Sequence, residues 1–410
     1  MAIGAARTQR LKEMSLDILL RNRRQTDGHQ YTVPSPESYP FQWLWDSCFH
    51  AIVLSHFSVE DAKQEICSLF SAQFENGMLP HMIYRGENRQ MKLGDDFVSI
   101  DWGKASTSTI TQPPLIAEAV WSIYERDGDS AFLRETYQPL CAFFDYLLSA
   151  RDPRGNHLAS IINPDESGED NSPRFDSVLD LPPVQTLQLN FASRLKLVEE
   201  LRSGHFDAPF MKQYFWVKDV PFNAMLARNL EILADIAGQL EMLDDAQKYA
   251  DESGLVSRAM RERMFDGNFF WPTYGESYMK IKLKTWAIFA PMYAGLLSDA
   301  ECKHLVDEHL LNTEEFHTRF MVPTVSKSEE TYDPEGFWRG STWIGINWFV
   351  CKGLRRYGYG DLAEKIVESS VELLEQSGFR EYYHPDTGAG LGAHDFTWGA
   401  LIVDMLADRS

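Results

Sequence analysis

Residues 342–377 read TWIGINWFVCKGLRRYGYGDLAEKIVESSVELLEQS. Up to Tyr357, and again from Leu362, apolar residues recur at three- and four-residue spacing, the period of a helix with one face turned inward. Between the two runs stands Tyr357-Gly358-Tyr359-Gly360-Asp361, with glycine where one helix must stop and an acid where the next is capped. The segment is predicted to be a hairpin of helices. The same punctuation recurs at Phe57-Ser58-Val59-Glu60-Asp61 and at Asp127-Gly128-Asp129-Ser130. Leu11, Met14, Ile18 and Leu19 form one more apolar stripe. Helical periods also run near 45–57, 60–74, 113–126, 131–150, 185–202, 221–240, 242–264, 284–297 and 395–407. Convincing alternation of the β kind is limited to short pieces around 80–102, 158–163 and 268–274.

Roughly a dozen paired helices in one uninterrupted chain point to a helical toroid or solenoid. No fixed short repeat is visible, so the solenoid is set aside. Long loops at 76–112, 152–184 and 322–341 separate the pairs, and loops beyond ~12–15 residues are usually functional or disordered. These are too rich in Trp, Tyr and Phe for disorder. An all-α closed barrel fits best, with its site built from loops at one end and residues 1–410 forming one domain.

The composition supports a large core, at 44% hydrophobic, 13% aromatic and 24% charged residues. Lys plus Arg is 39 and Asp plus Glu is 60, a formal net charge of −21. A field of that sign repels phosphate backbones and anionic lipid surfaces, so nucleic-acid and membrane partners are not expected. Cys48, Cys67, Cys141, Cys302 and Cys351 are odd in number and form no CxxC pair, which argues against disulfides and structural zinc. The N-terminus lacks an apolar h-region, and no apolar run reaches membrane-spanning length. A soluble protein of a reducing cytosol is expected; self-association is left open.

Nucleotide-binding, metalloprotease and nucleophile-elbow motifs are missing. Gly388-Ala-Gly-Leu-Gly-Ala393 lacks the preceding strand of a dinucleotide fingerprint and reads as a tight loop. What remains is carboxylates among aromatics. Asp46 stands with Trp43 and Trp45 at a helix start, either as a first-turn charge beside core tryptophans or as a sugar platform. Asp165, Glu166, Glu169, Asp170 and Asp176 crowd one loop, which reads as a solvated acidic loop, a calcium loop with the wrong spacing, or a catalytic segment. Glu381 is set among Phe379, Tyr382 and Tyr383. Desolvation there would raise its pKa, unless Arg380 or Arg339 pairs with it. Trp338 and Arg339 precede Trp343 at the start of another helix, and Arg339 either neutralises a carboxylate or grips a substrate oxygen. Gln112 lies in Thr111-Gln-Pro-Pro114, expected to cap a helix. Two carboxylates on separate loops of an aromatic cleft are the equipment of glycoside hydrolysis.

In order along the chain stand Trp45-Asp46-Ser47, Gly77-Met-Leu-Pro-His81, Thr111-Gln-Pro-Pro114, Gly168-Glu-Asp170-Asn-Ser-Pro173, Trp338-Arg-Gly340, Trp343, Asn347-Trp348, Phe379-Arg-Glu381-Tyr-Tyr383 and Phe396-Thr-Trp398. Together they resemble glycoside hydrolase family 63, especially its compact bacterial branch of mannosylglycerate and glucosylglycerate hydrolases. The resemblance runs from about residue 40 to the C-terminus. It implies an (α/α)6 toroid, an inverting α-glycosidase, a cytoplasmic location and no cofactor or metal. Carried over, Asp170 matches the general acid and Glu381 the general base. Trp43, Trp45, Asp46, His81, Gln112, Trp338, Arg339, Trp343 and Tyr383 match substrate-binding positions.

The expected substrate is a small α-mannoside or α-glucoside. Regions 178–220 and 83–102 give no match that identifies the leaving group; by motif position, Arg339 and then Arg85 are the cations expected to hold an anionic one, with Tyr84 another candidate. Rival readings are an α-glucosidase on short oligosaccharides, a trehalase-like enzyme, a sugar epimerase using His81, His384 or His394, and a catalytically silent carbohydrate-binding toroid.

Overall fold

The periodic stretches fold as helices, and the computed structural model, which describes residues 3–86, 89–93 and 96–408, is mostly helical. In chain order the elements begin with α1 (Ala5–Asn22), β1 (Arg23–Thr26), β2 (His29–Thr32), β3 (Gln42–Trp43), α2 (Leu44–Leu54) and α3 (Val59–Phe70). There follow β4 (Met82–Ile83), β5 (Met91–Leu93), β6 (Asp96–Val98), α4 (Ile116–Asp127), α5 (Ser130–Ser149) and α6 (Leu187–Ser203). The middle holds β7 (Val217–Lys218), α7 (Val220–Gln239), α8 (Leu243–Arg263), β8 (Thr273–Tyr274), β9 (Met279–Lys280), α9 (Ala290–Tyr293) and α10 (Asp299–Leu305). The chain closes with α11 (Ile344–Arg356), α12 (Gly360–Ser377), β10 (Arg380–Tyr383), β11 (Gly390–His394) and α13 (Ile402–Ala407).

The three expected hairpins form, α2 against α3, α4 against α5 and α11 against α12, and α7 packs against α8 in the same way. Their caps are local chemistry. Ser58 accepts from the Asp61 amide, Asp129 accepts from the Ala131 amide, and Gly128 ends α4 at φ 66°. Before α12 the cap is Tyr359, with Gly358 in the left-handed region, so Asp361 lies inside the helix instead of at its start.

In the pairs α2/α3, α7/α8 and α11/α12 the first helix is the more deeply buried. Every residue of α2 is buried, whereas α8 buries only Tyr249, Val256, Ala259 and Met260. The reason is the packing order. α2 touches α4, α4 touches α7, α7 touches α9, α9 touches α11, and the turn at 397–401 lies between α11 and α2. Inner helices have neighbours on every side, while outer ones keep a solvent face. α1 takes the outer position against 397–401 and α13.

Elsewhere the periodicity reading needs correction. The predicted helix at 284–297 breaks into a turn at 286–288 and the short α9, because Pro291 can only sit at a helix start and Gly295 ends it at φ 70°. The sequence reading passed over α10, although its Ser298/Glu301 capping box is a legible signal. The 395–407 helix starts with a 3₁₀ turn. At 158–163 only the Ile161↔Val217 bridge forms. Two hairpins were not expected, β1–β2 and β10–β11, and the second uses the supposed tight loop at 388–393 as its return strand.

Candidate active site

The tryptophan and carboxylate segments converge on one cavity of about 790 Å³. Its floor begins where β3 pairs with β4, Trp43 opposite Met82, and turns the chain into α2. Trp43, Trp45 and Asp46 then face the cavity beside His81. The Trp45 amide, a first-turn N–H with no partner inside its helix, donates to Gln112 Oε1 at 3.2 Å. Gln112 reaches it from an extended segment, since Leu115 and not Thr111 precedes the first residue of α4. Asp46 accepts from Trp398 Nε1 at 2.7 Å; burial pushes its pKa up to about 6, against the lowering effects of His50 and that hydrogen bond. His81 meets Ser108 Oγ at 3.1 Å, and burial, with Arg194 nearby, lowers its pKa to about 3. It is therefore a neutral imidazole.

Most of the acidic loop is buried, and four arginines hold it, Arg174 from the loop itself and three from other segments. Arg151 forks onto Glu166, with both bonds at 2.6 Å. Arg174 spans Glu169 and Asp219, at 2.6 and 2.9 Å. Arg339 takes Asp176 at 2.7 Å. Arg194 lies between Asp165 and Asp170, 2.9 Å from Asp170 Oδ2. Both the solvated-loop and the calcium-loop readings fall: each carboxylate has a guanidinium partner, and bidentate pairing offsets the cost of burial. Among the described residues no group of three or more His, Cys, Asp or Glu could hold a metal ion.

Gly168 lets this loop pass directly over the platform. It sits at φ 73°, and an added Cβ would lie 2.3 Å from the Trp45 ring. Gly168→Ala is expected to cost about 1–3 kcal/mol of stability through overpacking and to displace Asp170. Chemical denaturation checks this, and an unchanged midpoint would refute the contact.

Glu381 comes from β10 and, among the described residues, meets no arginine. Tyr39 Oη donates to its Oε1 at 2.6 Å and the Ala393 amide to its Oε2 at 2.7 Å. Burial pushes its pKa up to about 7 against those two donors, and the charges of Asp170 and Asp46 add to the rise. Arg380 instead donates to the Gly392 and Ala393 carbonyls. The wall beside Glu381 is aromatic, with Trp338 and Trp343 stacked at 3.8 Å and 6°, and Tyr382 beyond Trp343 at 5.1 Å and 20°.

Asp170, Glu381, Trp43, Trp45, Asp46, His81, Gln112, Trp338 and Trp343 thus line one cavity. Four candidates do not. The Arg339 guanidinium is engaged with Asp176 and the Asn171 and Pro183 carbonyls. Tyr383 is fully buried and donates to the Gly378 carbonyl at 2.7 Å. Arg85 donates to Gln42, Ser68 and Ser71, and Tyr84 accepts from Trp102. Each has its polar atoms committed to the scaffold. His384 also faces away, accepting from the amides of Asp386 and Thr387.

The sequence reading missed Tyr39, Trp102, Phe191, Arg194, Phe337 and Tyr382, all of which line the cavity. For Arg194 a signal existed. Leu187, Phe191 and Arg194 fall at i, i+4 and i+7, one stripe of α6, and this stripe faces the cavity.

The family model of the mannosylglycerate hydrolase MGH1-like glycoside hydrolase domain matches residues 39–399. The chain is 33% identical to mannosylglycerate hydrolase of Thermus thermophilus, over 95% of this chain and 98% of that one. It is 27% identical to glucosylglycerate hydrolase of Mycolicibacterium hassiacum, over 93% and 95% of the two chains. The crystal structure of a GH63 mannosylglycerate hydrolase from Thermus thermophilus, in complex with Tris and D-glycerate, superposes with a TM-score of 0.86. It is 32% identical and covers 97% of this chain and 100% of that one.

Proposed function

The chain belongs to the MGH1-like family of glycoside hydrolases, and on that premise we propose that it hydrolyses the α-glycosidic bond of a hexosylglycerate with inversion. Asp170 gives a proton to the glycosidic oxygen as its bond to the anomeric carbon breaks. Glu381, ionised, takes a proton from a water that attacks that carbon from the opposite face. One turnover leaves Asp170 ionised and Glu381 protonated, and exchange with solvent resets both. The observation that carries this reading is the pairing of two carboxylates on one aromatic cavity, one beside an arginine and the other held only by uncharged donors. Tyr39 and the Ala393 amide occupy one lone pair on each Glu381 oxygen and so orient it for the water. We read the ring of neighbouring helices as one (α/α)6 toroid of a single domain. The five cysteines are all free, which supports a reducing, cytosolic setting.

The leaving group we propose is glycerate, the molecule present in the Thermus relative's complex. Among the described residues, Arg194 and Lys92 are the lysine and arginine side chains that line the cavity. A carboxylate arriving at Arg194 competes with Asp170 for the guanidinium. That competition loosens the Asp170–Arg194 ion pair, while Asp165 keeps Arg194 in place. Arg194→Lys retains the charge but loses the planar fork. Its kcat/KM on a hexosylglycerate should fall far more than on the neutral glycerol glycoside. Equal losses would remove Arg194 from aglycone recognition.

The base also sets a pH dependence. Because burial holds Glu381 near 7, the ionised form grows as pH rises through that value, and kcat/KM should rise with it. A rate–pH profile flat from about 5 to 8 would exclude Glu381 as the base. The decisive experiment offers mannosylglycerate, glucosylglycerate, trehalose and kojibiose, and follows the fresh product by proton NMR. The β-anomer as first product of a hexosylglycerate is expected; the α-anomer would overturn inversion, and preference for a disaccharide would overturn the aglycone.

A further inference from the structure

We infer that the chain carries a second binding site, remote in its lining from the aromatic cavity, that takes a phosphate group. A separate cavity of about 480 Å³ shares no lining residue with the first. Arg154, Lys212, Lys218 and Arg263 converge on it against Asp152 and Glu276. In a chain of net charge −21 this excess of cations is out of character.

The local charges do not cancel. Glu276 is taken by Arg154, and Asp152 Oδ2 accepts the His157 amide at 2.6 Å. Lys218 is only 5% exposed, yet its ammonium donates to a neutral hydroxyl, Ser160 Oγ. Lys212 and Lys218 both lie near the Trp216 ring, at 5.5 and 5.2 Å, and the Arg263 guanidinium lies 4.6 Å from the Tyr278 ring. The Nε of Arg263 is buried without a hydrogen-bond partner. Among the described residues none of these three cations has a carboxylate within ion-pairing distance.

Four cations against two carboxylates repel one another, and desolvation adds to the cost. Consistently, burial lowers the Lys218 pKa to about 8, and Lys212, Arg263 and Arg154 push the same way against Asp152. A doubly charged tetrahedral oxyanion supplies what is missing: negative charge and several acceptors for a guanidinium and two ammoniums at once. The phosphate is either free or carried on a sugar that the cavity has room to hold.

Isothermal titration of the full chain with inorganic phosphate and with mannose 6-phosphate tests this, and the tighter of the two identifies the source. Saturable binding is expected. Lys218→Met and Arg263→Gln should each weaken it by ~10-fold or more while hydrolysis without phosphate is unchanged. Arg263 ends α8 and is half-buried, so its variant carries the test should Lys218→Met fail to fold. Absence of saturation below ~10 mM would overturn the site, and so would affinity retained in the folded variants.

Discussion

Glu381→Gln is expected to abolish most turnover while the chain stays folded. The amide is nearly isosteric and keeps both contacts: its oxygen accepts the Ala393 amide, and its nitrogen donates to Tyr39 Oη, which turns to accept. What it loses is the ability to take a proton from water, and general base help contributes ~10²–10⁴-fold. Asp170→Asn should cost a similar factor at the proton-donating step. Stability gives an independent reading. The folded value of about 7 lies above the ordinary glutamate value of 4.5. The stabilising contribution of the protonated carboxyl is therefore full below about pH 4.5 and lost as pH rises through 7. The glutamine variant has no such loss. It should melt above the parent at pH 8, and the difference should vanish in acid. Thermal melts at the two pH values, beside kcat, check both halves. A variant that melted early yet kept its activity per folded molecule would make Glu381 structural.

Arg174→Met is expected to destabilise the chain strongly. The guanidinium is fully buried and bonds Glu169, Asp219 and Ser172, with Phe175 packed 4.5 Å from it. Methionine replaces its volume but leaves Glu169 and Asp219 buried without a counter-charge. Breaking one side of a buried ion pair typically costs about 3–5 kcal/mol. Asp219 also caps α7 by accepting from Phe222, so the damage reaches an inner helix. Activity should fall too, since Glu169 adjoins Asp170. Urea denaturation measures the loss. An unfolding free energy within about 0.5 kcal/mol of the parent, the range of an unremarkable surface change, would show that the pair is not needed.

The contrast between these two residues marks what could be read in advance. Glu381 was legible because its environment is largely local. Phe379, Tyr382 and Tyr383 flank it, and aromatic neighbours near in sequence already imply desolvation. The hairpins were legible for the same reason: Ser58, Gly128 and Asp129 act on amides and dihedrals within three residues of themselves. The apolar periods of α2, α7 and α11 marked them as helices, and their deep burial followed from position in the ring.

Ion pairing was not legible. Five carboxylates within a dozen residues call for cations, and of these the local pattern supplies only Arg174. Arg174 meets Glu169 within the loop itself, but Arg194 of α6 reaches Asp165 and Asp170, Arg174 reaches Asp219 before α7, and Arg339 before α11 reaches Asp176 only when those segments are brought around the loop. Motif position favoured Arg339 for the substrate, yet Asp176 and two carbonyls already occupy its donors, and Arg194 faces the cavity instead. Amino-acid sequence by itself determined the helical character and the caps at Ser58 and Asp129, because period and capping are properties of neighbouring residues. Tertiary structure decided which arginine faces the cavity and which tyrosine holds Glu381, because a charge finds its partner by distance in space, and Tyr39 and Glu381 are brought within 2.6 Å only when the chain folds.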